Sequence, residues 1–343
     1  MVETKSSEIF RASSFFEPFL HLMRAFCWYS SELASSICYN VYSAIIAIFF
    51  IMLPSCLGTI TVIETFSQLD EILDVLMLYT TTLSYAIKGY YFIKQKEDIR
   101  KLLGDVDLKI FHPKNAHQKY IISSTMLKIK RYVKIMIVAA AINTNIWSIC
   151  SILNNDLPMS LWYPVNKYRY PTYQIICVYE SLYLGAHGVI HPTLDAIPLV
   201  LMAFIIGQLD IITDILSNLK KYSEVEMNVD ESDNSTKDVL HQKMNNMLIE
   251  CVHKHRALIR LVQILNRVYT YHFFSILANC IITLAVLLYN IAMEGSFNLS
   301  FMYRLIFFFV VLFELLQFNW YANEIIYKVK IYTCYYHGFH LDE

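Results

Sequence analysis

Three ionisable side chains recur at four-residue steps within one apolar stretch of the chain: His187, His191 and Asp195. In a helix this spacing places all three on one face, and Glu180 lies two turns away on a similar face. Two histidines at positions i and i+4 with a carboxylate could chelate a metal ion, or serve a proton-coupled transporter. The alternative is a buried, hydrogen-bonded stripe or the lining of an inner cavity. We favour this alternative and expect neither a metal nor a cofactor. The reasons are that no other apolar segment supplies a facing cluster, and that Asp195 is expected at a solvated inner boundary.

Four further polar residues interrupt the apolar segments. Glu314 and Gln317 fall in the middle of one such segment, so they must face protein or water rather than lipid. Lys88 and Arg304 fall near segment ends, and their long aliphatic stems allow the charged groups to reach the membrane interface. We therefore predict a protein-facing place for the first pair and an interfacial place for the second.

Aromatic residues in the same segments form a second candidate site. Five of them fall at similar depths in four apolar segments. Rings that converge from several helices would enclose an apolar pocket with a few hydroxyl and indole groups, suited to a small hydrophobic molecule. The alternative is an aromatic belt at the membrane interface. The predicted ligand-binding residues are Tyr79, Trp147, Tyr179, Tyr183 and Tyr303.

No sequence motif indicates catalysis. The chain lacks a phosphate-binding glycine loop, the hydrolase nucleophile motif, a His-Glu-x-x-His pair and paired catalytic carboxylates. Its formal net charge of −1 gives no reason to expect a nucleic-acid partner. We therefore expect a protein that is not an enzyme.

The elements that position these residues are membrane helices. Hydrophobic residues make up 56% of the 343 residues and charged residues 17%, which is too little polar surface for a soluble domain of this size. A helix needs about 20 apolar residues to cross a bilayer, and its backbone groups are satisfied within the segment. We predict an all-α, polytopic transmembrane helical bundle with intracellular helical extensions. Its six visible crossings are residues 41–63, 72–93, 133–153, 173 to about 207, 273–293 and 299 to about 321.

The distribution of lysine and arginine indicates the orientation in the membrane. With the amino terminus in the cytoplasm, the outer loops hold only Lys167 and Arg169, whereas the inner stretches 94–131 and 220–267 are rich in both residue types. Basic loops stay on the cytoplasmic side. We therefore predict a multi-pass membrane protein, in contact with membrane lipid, whose amino terminus is cytoplasmic. This orientation excludes a G-protein-coupled receptor, because the amino terminus of that class lies outside.

The same patterns divide the chain into segments. Residues 220–238 are charged and lack an apolar period, which predicts a mobile loop. Apolar three- and four-residue steps from His241 indicate a helix that continues into the fifth crossing. The segments are 1–40, a cytoplasmic amino-terminal part; 41–217, crossings one to four with an intracellular loop at 94–132; 218–272, an intracellular loop and helix; 273–321, crossings five and six; and 322–343, a cytoplasmic tail.

Several stretches between about residues 10 and 335 follow the order and spacing of one known family. The sixth predicted helix ends in Phe318-Asn-Trp-Tyr-Ala-Asn-Glu324. This run is similar to the motif Cys-x-x-Gly-Asn-Glu, with Asn319 in place of the Cys and Ala322 in place of the Gly. The other similar stretches are Phe19–Trp28, Tyr85–Lys88 with Phe92 and Ile99–Leu103, Leu157–Pro164 followed by a helix with Asp195, and Cys251–Asn266. Together they resemble the insect odorant receptors.

The resemblance implies a chemosensory receptor subunit that binds a small hydrophobic odorant in the outer half of the helix bundle. It implies a ligand-gated, non-selective cation channel, assembled as a hetero-tetramer with odorant co-receptor subunits. It also implies a seventh crossing that lines the pore. Residues 328–343 hold no apolar run long enough to cross, so we expect the chain as given to lack that helix. The alternatives are a gustatory receptor of the same architecture and a proton- or metal-coupled transporter built around His187, His191 and Asp195.

Overall fold

The computed structural model describes residues 10–29, 37–67, 69–159, 161–227, 234–293 and 297–339. Within these ranges the regular structure is helical and contains no β-strand. The predicted all-α helical bundle is therefore confirmed. Predictions that fall on residues 1–9, 30–36, 68, 160, 228–233, 294–296 and 340–343 lie outside the described residues.

The α-helices of the described ranges vary widely in length. In chain order they are α1 (Glu17–Ala25), α2 (Ile37–Ala47), α3 (Leu53–Thr65), α4 (Leu69–Lys94), α5 (Lys96–Asp105), α6 (Ala116–Leu153), α7 (Thr172–Ser217), α8 (Leu219–Met227), α9 (Asn234–Met293) and α10 (Leu299–Phe339). One π-helical turn, Ile48–Met52, joins α2 and α3 into a 29-residue apolar segment. Short 3-10 turns lie at Ala12–Phe15 and Lys109–Phe111.

Five helical segments of the described chain are long and apolar enough to cross a membrane. They are Ile37–Thr65, Ala116–Leu153, Thr172–Ser217, Asp238–Met293 and Phe301–Lys330. The predicted crossing at 72–93 lies within α4, which is long enough at 26 residues. Three consecutive threonines and Lys88 make α4 less apolar than the others. Because α4 packs against α3 and α9, its polar side chains have protein neighbours.

Four helices are much longer than one membrane crossing: α6, α7, α9 and α10 have 38, 46, 60 and 41 residues. About 20 residues span the hydrocarbon of a bilayer at 1.5 Å per residue. Each helix therefore continues for several turns beyond a crossing. Helix α6 packs along α7, and α9 packs along α10. The predicted helical extensions are confirmed. The helix predicted from His241 and the fifth crossing are one continuous helix, α9.

The prediction of a loop over residues 220–238 is wrong at both ends of that stretch, because α8 extends to Met227 and α9 begins at Asn234. Ser223 is buried, and its hydroxyl donates to the Leu219 carbonyl at 2.9 Å and contacts Met247 Sδ of α9 at 3.4 Å. Packing against α9 therefore holds α8 in place without an apolar period of its own.

Helix α7 lies at the centre of the bundle. Every residue from Thr193 to Leu209 is buried, and α1, α4, α6, α8, α9 and α10 all pack against α7. A helix that is apolar on all sides can be covered by protein on every side, which is compatible with this central place. Gly188 allows the closest approach to α6, because a Cβ there would lie 2.4 Å from Thr144 Oγ1.

Candidate ligand cavity and buried ion cluster

A cavity lies among α4, α6, α7, α9 and α10. It occupies the part of the bundle nearest the connection between α6 and α7. Its walls are mainly apolar, with a few hydroxyl, amide, imidazole and carboxyl groups. The lining residues are Leu78, Thr81, Thr82, Met136, Ala140, Asn143, Thr144, Trp147, Met159, Tyr183, Leu184, His187, Gly188, His191, Pro192, Asn279, Phe307, Val310, Val311 and Glu314.

The connection between α6 and α7 covers one end of the cavity. Met159 of this connection lines the cavity, and its backbone N–H donates to Glu180 Oε2 at 2.8 Å. Tyr163 donates through its hydroxyl to Glu180 Oε1 at 3.1 Å. The indole of Trp147 donates to the Pro158 carbonyl at 3.1 Å. The buried Glu180 carboxylate therefore anchors the connection over the cavity, a role that the sequence did not reveal.

Two buried polar atoms of cavity-lining residues have no hydrogen-bond partner within the described chain: His187 Nε2 on α7 and Asn143 Oδ1 on α6. A neutral imidazole carries one proton, on either Nδ1 or Nε2. With the proton on Nδ1, His187 has a lone pair at Nε2. In that tautomer both unpartnered atoms are acceptors, and a buried acceptor without a partner costs about 1–3 kcal/mol.

At the other end of the cavity, ionisable side chains from four helices form an ion cluster: Lys88 of α4, His191 and Asp195 of α7, His272 of α9 and Glu314 of α10. Lys88 Nζ lies 2.9 Å from Asp195 Oδ1 and 3.4 Å from Glu314 Oε1. It also lies 3.1 Å from His191 Nε2. His272 Nε2 is 2.7 Å from Asp195 Oδ1. The three protons of the ammonium thus have three acceptors on two other helices.

The ion cluster contains a group of potential metal ligands. Ligand atoms of His191, Asp195 and Glu314 lie within 4.8 Å of one another. The Lys88 ammonium contacts all three residues and so supplies the positive charge that a metal ion would bring. A divalent cation beside this ammonium would be repelled. The geometry therefore fits the hydrogen-bonded stripe better than the metal-binding alternative.

Three expectations about these residues are wrong. Lys88 does not reach the membrane interface: its exposed fraction is 0%, because carboxylates from α7 and α10 neutralise it inside the bundle. Asp195 is not solvated, since its exposed fraction is 2%. Other segments do supply facing groups, namely Lys88, His272 and Glu314. A usable signal was present in the sequence, because opposite charges in separate membrane helices are costly alone and less so as a pair.

Two of the five predicted aromatic residues line the cavity. Tyr183 is buried, and its hydroxyl is hydrogen-bonded to Thr82 Oγ1 at 2.9 Å. Trp147 contributes the other aromatic wall. Tyr303 packs on Trp147 from outside that wall, with ring centroids 5.0 Å apart. A role for these residues in ligand binding stays a prediction.

The other two predicted residues lie outside the cavity lining. The Tyr79 hydroxyl is hydrogen-bonded to Thr59 Oγ1 of α3 at 3.1 Å. Tyr179 donates to the Phe49 carbonyl at 3.0 Å. Both tyrosines thus connect α4 and α7 to the segment formed by α2 and α3. The prediction used only the similar depth of these residues in the membrane, and depth does not show in which direction a ring points around its helix.

The family model described as 7tm Odorant receptor matches residues 68–330 of the chain. The chain belongs to this odorant receptor family. Among solved structures, it is similar to the insect olfactory receptor OR5 from Machilis hrabei, alone and in complex with eugenol. The TM-scores are 0.74 and 0.73, with 14% sequence identity, over 92% of this chain and 80% of that one. At this identity the likeness shows a common fold. No curated protein matches the chain.

Family membership and the apolar helices together make this odorant receptor a multi-pass membrane protein and a chemosensory receptor. The family is one of receptors, not of enzymes. A gustatory receptor was an alternative because it would have the same architecture. The family model that matches is that of the odorant receptors. The transporter alternative required a metal or proton site around His187, His191 and Asp195. The ion pairs of Lys88 with Asp195 and Glu314 explain the charged groups there without such a site.

Proposed function

We propose that this receptor binds a small hydrophobic odorant in the cavity among α4, α6, α7, α9 and α10. Binding opens a non-selective cation channel in the plasma membrane, formed as a hetero-tetramer with odorant co-receptor subunits. The amino terminus lies in the cytoplasm, as the lysine and arginine distribution indicates. The single observation that carries the proposal is the cavity itself, a mainly apolar space between membrane helices.

The polar atoms of the wall narrow the chemistry of the odorant. Asn143 Oδ1 is an acceptor without a partner in the described chain, and His187 Nε2 is a second one when the imidazole proton is on Nδ1. A ligand with an apolar body and a hydroxyl group would fill the apolar space and donate a hydrogen bond to one of them. A related receptor has been solved in complex with eugenol. We therefore expect hydroxyl-bearing odorants to be favoured over their ethers.

The test is current recording from cells that express the receptor with the co-receptor. Alcohols that evoke current are compared with the methyl ethers of the same alcohols. The wild type is expected to prefer the alcohol, and His187→Phe, which keeps a ring but removes the acceptor, is expected to reduce that preference by roughly threefold to tenfold. Tyr79→Phe removes a hydroxyl outside the cavity lining and serves as the matched control.

Two results would contradict the proposal. An unchanged preference in His187→Phe and Asn143→Leu alike would show that these acceptors do not contact the odorant. Proton- or metal-dependent flux in cells without the co-receptor would favour the transporter alternative over the receptor channel.

A further inference from the structure

A second pocket lies away from the ligand cavity, with a volume of about 600 Å³. It forms where the connection between α5 and α6 meets the end of α7, helix α8 and the first half of α9. The lining residues are Lys109, Ile110, His112, Pro113, Lys114, Asn115, Ala116, His117, Gln118, Ile215, Lys221, Tyr222, Met247, Glu250, Cys251 and Lys254. We refer to it as the basic pocket.

The basic pocket has an excess of positive charge. Four of its lining residues are lysines and one is a glutamate, Glu250. Lys114 forms an ion pair with this glutamate. The carboxylate is thus already neutralised, and the lining offers no acid for Lys109, Lys221 or Lys254. Such a concentration of one charge sign in a concave surface attracts ions of the opposite sign.

The start of helix α6 adds backbone donors to the same pocket. Asn115 caps the helix through its side chain, which accepts from the Gln118 N–H at 2.8 Å. The Gln118 side chain in turn accepts from the Lys114 N–H at 2.8 Å. The N–H groups of Ala116 and His117, in the first turn, have no acceptor within the helix. A helix start of this kind favours anions.

Lys254 is the residue that distinguishes this pocket from an ordinary basic surface. Its exposed fraction is 5%, and within the described chain it has neither a hydrogen bond nor an ion pair. Burial lowers the pKa of Lys254 to about 8, against smaller upward effects of Cys251 and Glu250. The ammonium is therefore mostly protonated at neutral pH. The acidic neighbour of Lys254 in the lining, Glu250, is shared with Lys114. A buried ammonium with only a shared counter-charge is costly, and a bound anion would offset that cost.

We propose that the basic pocket binds a soluble, phosphate-bearing anion, with the Lys254 ammonium as its buried contact. Lys109, Lys221 and the free N–H groups at the start of α6 supply further contacts. The volume suits an organic molecule with several phosphate groups better than a single inorganic phosphate. In the orientation of the proposed function, the pocket opens to the cytoplasm.

The position of the pocket along α6 favours a soluble anion over a lipid headgroup. The predicted membrane crossing begins at Val133, 18 residues after Asn115. At 1.5 Å per residue this distance is roughly 27 Å. A lipid headgroup held at the bilayer surface would lie far from the pocket.

The experiment measures binding to the purified full-length receptor in nanodiscs of neutral lipid. The probes are inositol hexakisphosphate, ATP and inorganic phosphate, followed by isothermal titration calorimetry and thermal unfolding. Lys254→Met removes the charge but keeps most of the side-chain length. Lys128→Met is the matched control, because Lys128 is exposed on α6 and outside the pocket lining. Both variants lose the same charge.

We expect an organic phosphate to bind the wild type and to raise its unfolding temperature. Lys254→Met should weaken binding at least about tenfold, and Lys128→Met less than about twofold. Without an anion, Lys254→Met should unfold at the same or a higher temperature than the wild type, because it removes a buried charge with only a shared counter-charge. Should Lys254→Met fold poorly, Lys221→Met, at an exposed position, is expected to weaken binding in the same direction.

Three outcomes would overturn the inference. Equal weakening by Lys254→Met and Lys128→Met would show general attraction of polyanions to a basic protein. Failure of every soluble probe to bind would show that the pocket is not an anion site. Binding only to nanodiscs that contain phosphatidylinositol bisphosphate would show a lipid site. None of these outcomes depends on odorant-evoked current, so the proposed function is tested separately.

Discussion

At the residue scale, the Lys88 ammonium connects the cavity to the middle of the bundle. It joins α4 to α7 and α10 through Asp195, His191 and Glu314, and His272 adds α9 through Asp195. His191 and Glu314 also line the cavity. A ligand in the cavity would thus lie beside a buried network whose members hold four helices in register.

Removal of the cation from this network has a clear expected result. Lys88→Met leaves the buried carboxyl groups of Asp195 and Glu314 without their shared cationic partner, which should destabilise the receptor by about 3–5 kcal/mol. Thermal unfolding of the purified protein in detergent would show this as a lower midpoint. Lys96→Met, at an exposed position on α5, is the control and should change little.

A rescue variant separates lost charge balance from lost packing. Asp195→Asn with Glu314→Gln in the Lys88→Met background removes the uncompensated charges and should recover part of the lost stability. A single Lys88→Met variant as stable as the Lys96→Met control would contradict an ion pair at this site.

At the element scale, the close packing of α6 against α7 shapes one wall of the cavity. Gly188 and Thr144 lie on opposite sides of this contact and both line the cavity. A Cβ at position 188 would also lie 3.1 Å from the Ala140 carbonyl oxygen. The added Cβ would therefore meet the backbone of α6, and a change of side-chain rotamer cannot relieve that contact.

Gly188→Ala is expected to force α6 and α7 apart and to destabilise the receptor by about 1–3 kcal/mol. Gly104→Ala in α5 is the matched control, because a Cβ there meets nothing within 4 Å. That control should be neutral, or stabilising by up to about 1 kcal/mol, since alanine favours helix. Thermal unfolding of both variants would decide the point. Equal midpoints for Gly188→Ala and Gly104→Ala would show that the contact is not tight.

At the scale of the whole molecule, charge and helix length together describe a protein with a large region on one side of the membrane. Of the 28 lysines and arginines, ten lie in α6 and α9 before their predicted crossings, and two lie in the connection between α6 and α7. Basic regions stay in the cytoplasm. The basic pocket belongs to the first region, and the connection over the ligand cavity belongs to the second.

Glycosylation in cells tests this orientation. The native sequence Asn234-Ser-Thr should remain unmodified, because it lies on the predicted cytoplasmic side. Tyr168→Thr creates Asn166-Lys-Thr in the predicted outer connection, and this new site should gain a glycan. A shift in electrophoretic mobility that glycosidase reverses is the measurement. A glycan on Asn234 would reverse the predicted orientation.

Hydropathy predicted the helices well and the site only in part. The crossings and their continuations follow from local apolar runs and periods, so α6, α7, α9 and α10 were found with boundaries that fell short mainly outside the membrane. Among the predicted site residues, Trp147 and Tyr183 line the cavity, whereas Tyr79 and Tyr179 turn to α3 and the α2–α3 junction. The depth of a residue in the membrane follows from its position in the sequence. The direction in which its ring points around the helix depends on the helices that pack beside it.

The sequence alone therefore determined the class of protein, its helices and, through a family resemblance, its place among the odorant receptors. Only the tertiary structure showed what His187, His191 and Asp195 do. His191 and Asp195 meet a lysine about one hundred positions earlier and a glutamate about one hundred and twenty later, while His187 keeps an unpartnered ring nitrogen beside the cavity. Helix formation depends on neighbours within a few residues, whereas the partner of a buried charge depends on how distant helices pack.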